Sequence, residues 1–185
     1  LANFLNEFLS FKELKEVILL GNSLGGHIAL LFSKFHPEKV KGLIITGSSG
    51  LYENAMGDGY PKRGDYDYIK TKSEEVFYDP KVATKEIVDE VFQTVNDRSK
   101  LVKTLAIAKS AIRHNMAKDL PKMQTPTAII WGAQDSVTPP SVAEEFHALL
   151  PNSSLYWIDK CGHAPMMEHP QEFNKIMHSW IDKYQ

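Results

Sequence analysis

A single cysteine, Cys161, serves all 185 residues, so no intramolecular disulfide framework can form and a reducing compartment is expected. Excess charge is also missing: 21 Lys and Arg face 23 Asp and Glu, for a formal net charge of −2. A nucleic-acid surface needs clustered Lys and Arg, so that class is excluded. Every apolar run is broken by Gly or charge well before the roughly 18 residues of a membrane span. None of the seven histidines pairs at an H-x-x-x-H spacing, which argues against a metal site. No cofactor is expected. There is no repeat, no low-complexity segment and no signal-peptide pattern, so the expected location is cytoplasmic.

What is present is a 43% hydrophobic chain, enough for one domain with a packed core. The run "VILLGNSLGGHIALLF" starts as a buried strand, Val17 to Leu20, breaks on glycines and resumes as a helix from Leu24 to Phe35. Before it, "LANFLNEFLSFKEL" reads as a helix with Phe4, Leu5, Phe8, Leu9 and Phe11 crowding one side. "VKGLIITGSSG" supplies a second strand, Val40 to Thr46, and strand–helix–strand of this kind is a parallel crossover. From Leu51 the chain turns rich in Gly, Tyr and charge and reads as a surface loop, followed by helices near Lys85–Val95 and Ser99–Arg113. Strands return at Thr127–Trp131 and Leu155–Ile158, with helices at Ser141–Leu150 and about 170–183. The fold expected is α/β: a mostly parallel sheet flanked by helices, carrying a helical cap insertion. Its divisions are 1–50 (core), 51–118 (cap) and 119–185 (core).

Gly21-Asn22-Ser23-Leu24-Gly25 is G-x-S-x-G between a strand and a helix, the setting in which a strained turn exposes a serine Oγ above a sheet edge. The flanking glycines leave room for strand and helix to approach. Leu24 presents its backbone N–H at the helix N-terminus, where an oxyanion is favoured. Serine alone is a weak nucleophile and calls for a base and an orienting acid. Asp135, in "WGAQDSVTPP", and His163, in "CGHAPMMEHP", each follow a strand, so one sheet edge can gather all three. Bland readings stand beside these: Asp135 as an Asx-type loop cap, and His163 as a loop histidine satisfied by backbone groups. The loop Gly47-Ser48-Ser49-Gly50 holds no carboxylate, while Asp159 is a second, less favoured acid. Cys161 reads as a bystander thiol, and His114, His147 and His178 as surface helix positions.

The chain resembles the α/β-hydrolase superfamily, in the single-cap group that holds carboxylesterases and carbon–carbon bond hydrolases. "GNSLGG", "WGAQDSVTPP" and "CGHAPMMEHP" match its three catalytic segments in order, and "DLPKMQTPTAIIWG" is similar to its return from cap to core. The resemblance implies Ser23 as nucleophile, Asp135 as acid and His163 as base. It also implies an upstream His-Gly segment with a second oxyanion donor, and none precedes the elbow. The expectation is therefore an N-terminally truncated hydrolase whose elbow strand has an unpaired outer edge.

The expected reaction is acyl transfer on a carboxylic ester or related small acyl substrate, through an acyl-enzyme. The substrate is expected to be an apolar or aromatic acyl compound, with neither nucleic acid nor membrane as partner and homo-oligomer formation open. Asn22, Val137 and Ala164 are candidates for contact with it, and Tyr52, Tyr60, Tyr66, Tyr68, Phe77 and Tyr78 either cover it or pack cap on core. A carbon–carbon bond hydrolase of the meta-cleavage type is the alternative. The resemblance would then call for Trp soon after the base, where this chain has Ala164-Pro165-Met166. A receptor-like binding protein on the same scaffold is the alternative of another class.

Overall fold

The computed structural model describes residues 1–52 and 62–184. Four parallel strands form one sheet in the order β1-β2-β3-β4: Val17–Asn22, Val40–Thr46, Thr127–Gly132 and Ser153–Ile158. All residues of β3 are buried, as expected of an inner parallel strand covered on both faces. β1 and β4 lie at the edges and are only partly covered. The outer edge expected for the elbow strand is thus present in this sheet.

Side-chain alternation along the strands divides the core in two. Leu43, Ile45, Ile129 and Trp131 face one side. There they meet Leu9 of α1 (Ala2–Phe11), Leu30 and Phe32 of α2 (Leu24–Phe35) and Phe146 of a later helix, Pro140–Leu149. Ile44, Ala128, Ile130 and Ile158 face the other side, against Phe173 and Trp180 of the C-terminal helix, Pro170–Ile181. Helices therefore cover both faces of the sheet.

Between β2 and β3 come α3 (Tyr66–Glu74), α4 (Lys85–Asn96) and α5 (Arg98–Arg113). Each is started by a side chain that accepts an orphan backbone N–H: Asp65 from Tyr68, Thr84 from Ile87, and Asp97 from Ser99 and Lys100. The helices after β3 are then α6 (Pro140–Leu149), α7 (Pro165–Glu168) and α8 (Pro170–Ile181).

Two expectations need correction. The segment from Leu51 does not stay a loop through Lys70, because α3 begins at Tyr66 on the Asp65 cap. Nor do the apolar residues of α1 share one side: Leu9 is buried with Ala2 and Leu5 packed beside it, while Phe4 and Phe11 are 69% and 79% exposed. A helix turns about 100° per residue, so Leu5 and Leu9 align while Phe4 and Phe11 lie round the cylinder.

Candidate active site

Ser23 links the end of β1 to the start of α2 at φ 53° and ψ −118°, a backbone that an L-residue rarely adopts. Such strain costs on the order of 1–3 kcal/mol and persists only where the surroundings enforce it. Here Ser23 N–H donates to Thr46 O at 2.9 Å, and Ser23 O accepts from Ser49 N–H at 3.1 Å. The turn is held by the end of β2 on one side of the serine and by the loop after β2 on the other. Gly21 is demanded by this geometry, since a Cβ there would come within 2.3 Å of the Gly25 carbonyl carbon. Gly25 is not: a Cβ on it meets nothing within 4 Å, so the expectation that both glycines make room holds for Gly21 alone. Leu24 is the first residue of α2, where a backbone N–H has no intrahelical acceptor.

Asp135 and His163, 28 residues apart, come together in the loops that follow β3 and β4. Asp135 is 3% exposed, and its two oxygens divide the work. Oδ1 accepts the N–H groups of Val137 and Thr138, both at 2.8 Å, which makes the residue an Asx-type loop cap. Oδ2 accepts from His163 Nδ1 at 2.9 Å. The carboxylate acceptor fixes the proton on Nδ1 and leaves the Nε2 lone pair free to act as a base. Asp135 is thus an Asx-type loop cap whose second oxygen is left to meet His163. Asp159, the less favoured acid, is exposed and accepts from Gln134 instead.

His163 stands beside the elbow. Its imidazole lies over Gly47, the residue after Thr46, so closely that a Cβ there would be 2.7 Å from Cε1. The Asn22 side chain donates one hydrogen to Thr46 O at 3.1 Å and the other to His163 O at 3.0 Å. Asn22 therefore ties the serine turn, the second strand and the His163 loop to one another. Among the described residues, Ser23 Oγ makes no hydrogen bond to His163, a contact that often tightens only when substrate binds.

The other expected contacts fall in different places. Val137 lines a cavity of about 580 Å³ beneath α3, α4 and α5, with Val76, Val91, Val95, Leu101 and Leu105. The cavity meets the candidate triad at the Asp135 loop, and neither Ser23 nor His163 is in its walls. A second cavity, of about 420 Å³, lies between α2 and α5, with Leu24, His27 and Leu31 in its wall. Ala164 is buried and its carbonyl caps α7; it lines neither cavity. Tyr66 donates to Asp89 and sets its ring edge-on to Phe92, so it joins α3 to α4 rather than facing either cavity. Tyr60 lies outside the described residues.

Two further buried side chains, Cys161 and His27, have titrating groups held by their surroundings. Burial, with the Glu168 carboxylate adding to it, pushes the Cys161 thiol up to about 12, so it is a poor nucleophile at neutral pH. His27 on α2 is engaged with the carbonyl of His114, the residue that follows α5, at 2.9 Å. Among the described residues, no group of His, Cys, Asp and Glu is arranged to hold a metal ion, and no helix is long and apolar enough to cross a membrane. Glu168 went unnoticed in the sequence, although it accepts a hydrogen bond from Gly162 in the His163 loop; its spacing in "CGHAPMMEHP" gives no sign of that partner.

The alpha/beta hydrolase family matches residues 1–176. MGS-MChE2, an alpha/beta hydrolase enzyme from the metagenome of sediments of the Mar Chica lagoon in Morocco, is 59% identical. The two structures superpose with a TM-score of 0.77 over 98% of this chain and 68% of that one. A 2-hydroxy-6-oxononadienedioate/2-hydroxy-6-oxononatrienedioate hydrolase of Pseudomonas putida is 28% identical over 194 residues, covering 95% of this chain. The match takes in 66% of that relative's length, so the chain spans about two thirds of it. The meta-cleavage product hydrolase of Pseudomonas fluorescens IP01 shares the fold, with a TM-score of 0.85 at 16% identity over 100% of this chain and 71% of that one. On the match that runs through all but its last nine residues, this chain belongs to the alpha/beta hydrolase family.

Proposed function

We propose that the protein is a serine hydrolase acting on a carboxylic ester or related small acyl substrate, with Ser23 as nucleophile, Asp135 as acid and His163 as base. The observation that carries this reading is the 2.9 Å Asp135–His163 hydrogen bond beside a strained serine turn. His163 Nε2 takes the Ser23 hydroxyl proton as Oγ bonds to the substrate carbonyl carbon, and the carbonyl electron pair moves onto oxygen. The Leu24 N–H binds that oxyanion. As the intermediate collapses, the leaving alkoxide departs with the proton held on Nε2. Water then gives a proton to His163 and attacks the acyl-enzyme, releasing the acid and restoring Ser23.

Residues 51–118 act as a cap over the core formed by 1–50 and 119–185, and the cavity bordered by Val137 receives the apolar part of the acyl compound. A second reading, cleavage of a carbon–carbon bond next to a carbonyl, is favoured by the likeness to the Pseudomonas putida hydrolase. A fluorophosphonate probe tests the common core of both. Mass spectrometry should place the adduct on Ser23, and folded protein that takes up no label there refutes the hydrolase reading. Comparing turnover of p-nitrophenyl esters with that of a 2-hydroxy-6-oxo-dienoate then decides which bond is cut.

A further inference from the structure

Glu168 is the last residue of α7, five positions past His163, and its two carboxylate oxygens face two different segments. Oε1 accepts the Gly162 N–H at 2.6 Å and lies 3.7 Å from Cys161 Sγ. Oε2 accepts the N–H groups of Tyr78 at 2.7 Å and Asp79 at 3.2 Å. Gly162 immediately precedes His163, while Tyr78 and Asp79 belong to the segment that leaves α3. The same two segments meet again where His163 N–H donates to Val76 O at 2.9 Å, and the Asp135 loop joins them through Ser136 Oγ, which donates to Glu75 O at 2.9 Å. They are packed so tightly that a Cβ on Gly162 would lie 2.7 Å from Val76 O.

A charged carboxylate that collects three backbone N–H groups makes strong hydrogen bonds, and it fixes main chain rather than side chain. Asp135 sets the tilt and tautomer of the His163 ring, but the place of its Cα depends on where the base loop sits. That loop is moored to the segment 75–79, which also supplies Glu75 and Val76 to the wall of the larger cavity. We propose that Glu168 is a positioning residue for His163, clamping the base loop to the segment after α3 so that the imidazole stays in register with Asp135 and Ser23. The proposal rests on the reading of Ser23 and His163 as nucleophile and base.

Glu168→Gln and Glu168→Asp test it. The amide sets an N–H group against backbone donors, while Asp keeps the charge but is too short to span both segments. A misplacement of about 1 Å near reacting groups costs about 10²-fold in rate. In folded E168Q, fluorophosphonate labelling of Ser23 and kcat should both fall about 10²-fold, with KM nearly unchanged; E168D should recover part of the loss. Cys161, the sole cysteine and fully buried, supplies a readout independent of activity. A maleimide should leave it untouched in the wild type and modify it in E168Q. A wild-type rate of Ser23 labelling in either folded variant overturns the proposal, as does a loss that only follows the unfolded fraction. Wild-type protein that never labels at Ser23 refutes the hydrolase reading instead. The clamp is then judged by Cys161, and equal protection in wild type and E168Q overturns it.

Discussion

Asp135 shows how one carboxylate shapes its own loop and a distant histidine at once. Replacing it by Asn keeps an acceptor for the Val137 and Thr138 N–H groups but puts an amide where His163 needs an acceptor. The imidazole then favours the wrong tautomer, and kcat of D135N should fall about 10⁴-fold while its circular dichroism stays that of the wild type. A loss below tenfold would mean that Asp135 serves only as the loop cap. His27 gives a prediction of another kind. Burial holds its imidazole below the ordinary range, because charging it inside the fold removes its hydration. The unfolded chain takes up this proton near pH 6.5 and the folded chain resists. Stability from the neutral form is therefore complete above that pH and declines as the pH falls below it. Thermal melts from about pH 7.5 down to about 5.5 should show this decline, and His27→Gln should remove the His27 share of it. Identical slopes in the two proteins would rule it out.

At the junction of β1 with α2, Gly21 and Gly25 tolerate a side chain in unequal measure. A methyl group on Gly21 collides with the backbone of Gly25, so Gly21→Ala must push strand and helix apart, at a cost of about 1–3 kcal/mol or more. Gly25→Ala meets open space and removes a poor helix former, which should raise stability by up to about 1 kcal/mol. Chemical denaturation of the two variants checks the opposite signs. Both glycines look alike in "GNSLGG", because a sequence motif records residue types and not the direction of each Cβ. α3 was hidden for a related reason. Its start is marked by Asp65, but its residues are mostly charged and aromatic with little apolar period, and its packed face is made by the fully buried Ile69 and the Tyr66–Phe92 contact with α4. α1 was legible as a helix, whereas the side it buries was not: leucines and phenylalanines are equally apolar on paper.

Two apolar layers on opposite faces of one sheet hold the molecule together, and they share few contacts. Ile45 belongs to the α1–α2–α6 side and Ile158 to the α8 side, both fully buried. Ile45→Val and Ile158→Val should each cost about 0.5–1.5 kcal/mol. The double variant should lose the sum to within about 0.5 kcal/mol, since neither methyl touches the other's layer. Urea unfolding measures all three; a marked departure from the sum would show that the sheet couples its faces. The alternation of strand and helix, the glycine-bounded serine and the order Ser23…Asp135…His163 were all settled by the chain itself. Hydrophobic period, turn chemistry and position after a strand are local properties, written in neighbouring residues. The reach of Asn22 across 141 residues to the His163 carbonyl and the hydrogen bonds of Glu168 to Gly162 and Tyr78 came only with the folded chain. These are hydrogen bonds between segments joined by long connections, and packing, which has no local signature, decides which of the available partners come within reach.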